Sequence, residues 1–267
     1  MPTAKKPAKA KTPARPTLGD WDTPRVTALL VLADGTVIEG QGIGAEGEAV
    51  GEVCFNTAMT GYEEVLTDPS YAGQIVTFTF PHIGNVGTND EDIETTNLAA
   101  SAGVVGCIVR QPVTEPANYR SAKHFDKWLK ARNIIGLSGI DTRALTARIR
   151  EKGMPNGVIA HNARGKFDLK KLKAMAAAWP GLVGLDLAKD VSLSQRLHWD
   201  ETLWDWRQGH VRVSPGRFKV VAVDYGLKRN ILRCLTAAGC DVTVVPATSK
   251  AEEILAMKPD GIFLSNG

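Results

Sequence analysis

Hydrophobic and polar positions follow strand-like rhythms early in the chain. Residues 25–40 contain two β-rich runs around Asp34-Gly35, which predicts a hairpin. Residues 75–80 alternate between apolar and threonine side chains, which predicts a half-buried strand. Residues 103–110 form a continuous apolar run, which is typical of an interior strand.

Helical periodicity dominates the next part of the chain. Residues 117–133 place Phe125, Trp128 and Leu129 on one stripe. A second helix is predicted after the N-cap residue Asp141 and ends at Gly153, and a third lies within residues 168–181. Strands followed by helices predict an N-terminal α+β domain, β-rich with added helices, over residues 25–191.

The pattern changes twice after this domain. Residues 192–217 show no clear periodicity and include three tryptophans, which indicates a linker packed on a domain surface rather than a base-stacking platform. Residues 218–267 then alternate between buried strands and amphipathic helices, the second of them capped by Ser249. This βαβαβ order predicts the opening part of an α/β, doubly wound parallel sheet.

Charge is unevenly distributed. Residues 1–17 carry five basic side chains and no acidic one, so the remaining chain has 32 − 5 = 27 basic against 29 acidic residues. Residues 1–24 are predicted to be a disordered basic tail without a secretory signal. The rest lacks the positive field expected for nucleic-acid binding and any apolar run long enough for a membrane span.

The four cysteines are Cys54, Cys107, Cys234 and Cys240. They form no C-x-x-C pair, and each lies in an apolar context, so all four are predicted to be buried, inert thiols. Reduced thiols are typical of the cytoplasm.

A glycine-rich pattern is the first candidate for a cofactor site. GIGAEG, residues 42–47, matches the dinucleotide-binding glycine pattern, but a strand-like rather than a helical segment follows it, so these glycines are predicted to serve turns. The sequence contains no P-loop pattern and no metal-ligand spacing, so neither a cofactor nor a metal is predicted on this chain.

The richest stretch of turn formers, small hydroxyls and amides covers residues 55–90, which by itself indicates only a possible polar ligand site. Together with residues 139–159, 181–192 and the segments DYGLKRNILRCL and PDGIFLSNG, this stretch closely resembles the small, glutamine-using subunit of carbamoyl-phosphate synthetase. The resemblance runs from about Val26 to Gly267.

The resemblance implies an N-terminal small-subunit domain followed by a class I glutamine amidotransferase domain. In that family a cysteine, activated by a histidine and a glutamate, attacks the glutamine side chain. The ammonia goes to a large subunit that makes carbamoyl phosphate with bicarbonate and ATP. The resemblance therefore implies a large-subunit partner, which holds ATP and a divalent metal, and a higher oligomer of heterodimers. Arginine and/or pyrimidine biosynthesis is the implied role.

The resemblance also implies site residues. The serine of DPSY contacts L-glutamine, which transfers to Ser70, and the glycine of the SNG loop lines the glutamine pocket, which transfers to Gly267. The family's nucleophile pattern Gly-x-Cys-x-Gly-His-Gln is absent, so no catalytic residue is assigned. The expectation is a truncated chain, inactive alone. The alternatives are a catalytically inert docking module for the large subunit, and another class I amidotransferase, a family that generally lacks the N-terminal domain.

Overall fold

The computed structural model describes residues 25–96 and 103–266, and within these ranges the chain is mixed α/β. The predicted tail, residues 1–24, and the predicted site residue Gly267 lie outside the described residues. No helix in the described ranges is long and apolar enough to cross a membrane.

Seven strands of the first part close into a barrel. They are β1 (Ala28–Leu32), β2 (Val37–Gly44), β3 (Gly47–Asn56), β4 (Gln74–Phe78), β5 (Gly106–Ile108), β6 (Ile135–Ser138) and β7 (Asn156–His161). Their order around the barrel is β1-β2-β6-β5-β4-β3-β7. The three consecutive pairs from β3 to β6 are parallel and the others are antiparallel. Closure gives each of these strands a neighbour on both sides.

The strand predictions for this part hold in part. The hairpin at 25–40 is confirmed, since β1 pairs antiparallel with β2. The strand predicted at 75–80 is present as β4, but its half-buried character is wrong, because Thr77 and Val76 are both fully buried. Threonine alternation suggested a solvent face, but barrel closure buries one side of the strand and helices cover the other.

The helices of this barrel unit lie between and after its strands. They are α1 (Tyr62–Thr67), a short 3₁₀ helix (Pro69–Tyr71), α2 (Phe125–Ala131), α3 (Thr142–Lys152), α4 (Leu169–Ala178) and α5 (Ala188–Val191). The α3 prediction is confirmed, because the Asp141 carboxylate accepts hydrogen bonds from the amides of Arg143 and Ala144. The helix predicted at 117–133 begins only at Phe125, where His124 caps it.

A four-stranded sheet forms the second unit, here called the sheet unit. Its elements are β8 (Leu197–Trp199), β11 (Phe218–Asp224), α6 (Arg229–Ala237), β12 (Cys240–Pro246), α7 (Ala251–Ala256) and β13 (Gly261–Leu264), with the strand order β13-β11-β12-β8. Strand β11 pairs parallel with both β12 and β13. The N-cap of α7 is Lys250 rather than the predicted Ser249, because the helix starts one residue later.

Residues 192–217, predicted as a linker, contain three short strands. Strand β8 extends the sheet unit antiparallel to β12, and β9 (Glu201–Asp205) pairs with β10 (Gly209–Arg212) in a two-stranded ribbon. The hydrophobic pattern missed them because these short strands carry tryptophans that remain partly exposed, such as Trp204 at 37%.

The cysteine prediction holds for two of the four residues. Cys54 and Cys107 are buried in the barrel unit, where burial raises the pKa of each thiol to about 12. The prediction is wrong for Cys234, which is exposed, and Cys240 is only partly buried. Cys234 lies on the outer face of α6, whose inner face buries Leu232 and Thr236 instead.

The glycine pattern at 42–47 lies in a strand–turn–strand segment between β2 and β3, which confirms that it is not a dinucleotide fingerprint. Gly44 has φ 71, a conformation that favours glycine, and the carbonyl oxygen of Ile134 leaves no room there for a side chain. Gly42 lies directly against the imidazole of His161, a residue that is only 9% exposed.

Gly42→Ala is expected to destabilise the chain by about 1–3 kcal/mol, because the added methyl group would overlap the His161 ring. The ring has little freedom to move, since its Nδ1 lies 2.9 Å from the carbonyl oxygen of Ala45. Urea unfolding measures the change. Gly261→Ala is the matched control, because its methyl would meet only an ordinary contact at 3.9 Å. Equal losses in both variants would contradict this packing argument.

Candidate functional site

The carboxyl ends of β11 and β13 meet at one edge of the sheet unit. Because these strands are parallel neighbours, the loop after Asp224 and the segment after Leu264 lie side by side. The Tyr225 amide donates to the Ser265 hydroxyl oxygen at 2.9 Å, and the Ser265 amide donates to the carbonyl oxygen of Val223 at 3.2 Å. This edge is where open α/β sheets usually place their ligands.

Asp224 fixes the loop at this edge. Its carboxylate is fully buried, and one oxygen accepts hydrogen bonds from the amides of Gly226 (2.9 Å) and Leu227 (2.7 Å). The other oxygen accepts from the Leu193 amide at 2.8 Å and lies 3.4 Å from the Thr96 hydroxyl. One carboxylate thus joins the loop to the segment that leaves the barrel unit, and to the barrel unit itself.

Ser70, predicted from the resemblance as a glutamine contact, lies on the exposed side of the 3₁₀ helix of the barrel unit. The structure brings it to the sheet edge, because the side-chain amide of Asn266 donates to the Ser70 hydroxyl oxygen at 2.8 Å. The same amide nitrogen lies 3.5 Å from the carbonyl oxygen of Gly226. Asn266 immediately precedes Gly267 in the sequence.

Asp68 caps the 3₁₀ helix that carries Ser70 and fixes its position. One of its carboxylate oxygens accepts from the Ser70 amide at 2.9 Å, and the other pairs with the Lys228 ammonium at 2.9 Å. This hydrogen bond with Asp68 raises the pKa of Lys228, so the ammonium stays protonated. The Asp68 side chain is only 10% exposed, which makes this ion pair stronger than a surface pair. Asp68 and Lys228 therefore tie the two sides of the site together.

A second set of contacts fixes the interface between the barrel unit and the sheet unit. The backbone carbonyl oxygen of Glu94, from the barrel unit, accepts from the Arg229 amide at 2.8 Å, and the Glu94 carboxylate accepts from the Asn230 amide at 2.9 Å. Arg233 of α6 is 4% exposed on its side chain and donates to Glu201 at 2.8 Å and to the carbonyl oxygen of Glu91 at 3.2 Å. These buried, paired groups make the relative placement of Ser70 and Asn266 specific.

Pattern reasoning missed the residues that position Ser70. The sequence pattern predicts no site role for Asp68, Lys228 or Asn266, although Asp68 stands before Pro69 in a typical turn signal. Asp224 is easier to predict from the sequence, because a polar residue at the carboxyl end of a buried parallel strand lies at the edge of the sheet where ligands usually bind. Their partners are too distant along the chain for spacing to indicate them.

Two family models match the chain. Residues 30–159 match the model described as carbamoyl-phosphate synthase small chain, CPSase domain, and residues 221–267 match glutamine amidotransferase class-I. The barrel unit thus matches a small-chain domain, and the part of the sheet unit from β11 onward matches class-I glutamine amidotransferases.

Curated proteins that are highly similar to this chain are carbamoyl phosphate synthase small chains. The chain is 68% identical to the carbamoyl phosphate synthase small chain of Bradyrhizobium diazoefficiens, 67% to that of Mesorhizobium japonicum and 64% to that of Rhizobium meliloti. Each match covers 92% of this chain and 62% of the relative, so the chain spans about three fifths of the relatives' length. Over 92% of its length, therefore, the chain is similar to carbamoyl phosphate synthase small chains.

Proposed function

We propose that this chain forms part of the glutamine-binding subunit of a glutamine-dependent carbamoyl-phosphate synthetase. In this proposal it builds one wall of the L-glutamine pocket, with Ser70 and Gly267 as contacts. Ammonia released from glutamine passes to a large subunit, which holds ATP and a divalent metal and forms carbamoyl phosphate with bicarbonate. The proposed setting is arginine and/or pyrimidine biosynthesis in the cytoplasm, in an oligomer of heterodimers.

One observation carries the proposal: the hydrogen bond between Asn266 and Ser70, at 2.8 Å, which joins residues 196 positions apart. An exposed hydroxyl from the barrel unit is thereby held at the ligand edge of a parallel sheet. A serine hydroxyl both donates and accepts, so Ser70 can bind either the amino or the carboxylate group of an amino acid.

The activity can be tested in a completed chain. Residues 1–267 are joined to the remainder of the Bradyrhizobium relative and combined with that organism's large subunit. We expect carbamoyl phosphate formation from either glutamine or ammonia. If the complex forms but uses only ammonia, the chain is a docking module rather than part of a glutaminase.

Ser70→Ala in this completed chain is expected to raise the KM for glutamine about tenfold or more, because a hydrogen bond to a charged substrate group is lost. The kcat should change little, and ammonia-dependent synthesis should not change. Steady-state kinetics with each nitrogen donor measures both quantities. The exposed Ser194 supplies the control variant Ser194→Ala. An unchanged KM would remove Ser70 from the glutamine site.

A further inference from the structure

A cleft of about 330 Å³ lies in the barrel unit beside the first turn of α1, at the opposite end of this helix from Ser70. Residues 86–92 and 118–120 form its other walls. This volume is at the lower end of the range for small-molecule sites. The cleft has no part in the glutamine site described above.

Glu63 forms the base of the cleft and is unusual in its hydrogen bonding. Its side chain lines the cavity, yet the residue is only 3% exposed. One carboxylate oxygen accepts from the Asn89 amide at 3.0 Å, whereas Oε1 is buried and has no hydrogen-bond partner among the described residues. A buried carboxylate oxygen without a partner is costly and points to a missing donor.

Three other polar side chains of the cleft are already engaged. The Tyr62 hydroxyl donates to the carbonyl oxygen of Gly87, and the Asn89 side-chain amide donates to Asp92 at 2.8 Å. Arg120 is the basic side chain among the described residues on these walls, and it pairs with Asp92 at 2.6 Å and with Glu91 outside the cleft at 2.9 Å. Among the described residues, the hydrogen-bonding capacity that stays unused in the cleft is therefore that of acceptors.

The charge of the walls is negative. Glu63, Glu64 and Asp92 line the cleft with one guanidinium, that of Arg120. The Arg132 guanidinium acts on Glu63 from outside the lining. Among the described residues no group of three histidine, cysteine or acidic side chains is arranged to hold a metal ion. A ligand that carries several N–H donors and one positive charge satisfies this site better than a bare ion does.

We propose that this cleft binds a small organic cation, a primary ammonium or guanidinium group on a short aliphatic body, with the head group paired with the Glu63 carboxylate. Glu64 and Asp92 supply the surrounding negative potential. The site is independent of glutamine chemistry and would exist whether or not the proposed function holds.

Binding at this site is coupled to pH. Burial raises the pKa of Glu63 to about 7, with further repulsion from Asp92 and Glu64, while the Asn89 amide and the Arg132 guanidinium oppose the rise. A cation favours the ionised form of Glu63. Affinity should therefore increase as the pH rises through the pKa of this group.

The probe for this site is n-butylammonium chloride, titrated into the 267-residue chain and followed by amide NMR shifts of Asn89 and Gly61. At about pH 8, where Glu63 is mostly ionised, we expect saturable shifts, with weaker binding at about pH 6. n-Butanol and sodium chloride at matched concentrations should leave these amides unshifted. Equal shifts with sodium chloride or butanol would overturn the proposal.

Glu63→Gln keeps the shape of the side chain and removes its charge, so the Kd for n-butylammonium should increase about tenfold or more. The matched control is Glu115→Gln, which removes an exposed carboxylate outside the cleft and should not change the Kd. Unchanged affinity in Glu63→Gln overturns the site. Should that variant not fold, equal affinity of the unmodified chain at the two pH values would overturn it.

Discussion

The 267-residue chain by itself is expected to release no measurable glutamate from glutamine. A cysteine attacks an amide as its thiolate, which requires a nearby base and a lowered pKa. Cys54 and Cys107 are buried, and burial raises the pKa of each to about 12, so both thiols remain protonated at neutral pH. Neither is a competent nucleophile.

Cys234 and Cys240 lie far from the candidate site. Cys240 is the first residue of β12, at the amino end of the sheet, whereas Ser265 and Gly226 follow the carboxyl ends of β13 and β11. A strand of seven residues spans about 23 Å, which separates Cys240 from the ligand edge. Cys234 is exposed on α6 near the same amino end. Within residues 25–96 and 103–266, therefore, no thiol faces the candidate site.

An assay for glutamate with millimolar glutamine measures this loss, which is on the order of 10⁶ in rate when a nucleophile and its base are missing. The completed chain described above is the positive control. Glutamate release from residues 1–267 that disappears in one Cys→Ser variant would identify a nucleophile in this chain and contradict the expectation.

Asp224→Ala is expected to lower the free energy of unfolding by about 3 kcal/mol or more. Three backbone amides, those of Leu193, Gly226 and Leu227, lose their acceptor in a fully buried place. Each unsatisfied buried donor costs about 1–3 kcal/mol, and the small side chain also leaves a cavity. The loop at the ligand edge should loosen as well.

Urea unfolding and amide hydrogen exchange test this expectation. Exchange should accelerate at Gly226 and Leu227, because their donors then reach water. Asp260→Ala is the matched control in the same sheet, since this exposed carboxylate accepts one amide hydrogen bond, from Lys219 at 2.8 Å. Asp260→Ala should lower the free energy of unfolding by about 1 kcal/mol or less. Similar losses in the two variants would show that Asp224 does not join the loop to the barrel unit.

Several elements of the fold were predictable because their signals are local. Asp141 and Gly153 mark the ends of α3, and the capping hydrogen bonds form within three residues of Asp141. The strand–helix alternation after Phe218 also corresponds to the order that the structure has, from β11 to β13. Its parallel pairing follows from the helical crossovers between these strands.

The candidate site was predictable only through resemblance. Ser70 lies among the turn formers of residues 55–90, which by themselves indicate only a possible polar ligand site and not which ligand it takes. Its partners Asp68, Lys228 and Asn266 become meaningful only when the barrel unit and the sheet unit are in contact. Gly267 stays a prediction, as does the role of Ser70 in binding glutamine.

By itself, the sequence determined both ends of α3, the β1–β2 hairpin and the succession of strands and helices after Phe218, because these depend on side chains a few residues apart. The tertiary structure alone decided that β4 is buried on both faces, that Cys234 is exposed, and that residues 192–217 contribute a strand to the sheet. It also decided that Asn266 meets Ser70, across 196 positions. The physical reason is that closure of a barrel and contact between two units depend on contacts between distant segments, which periodicity along the chain does not record.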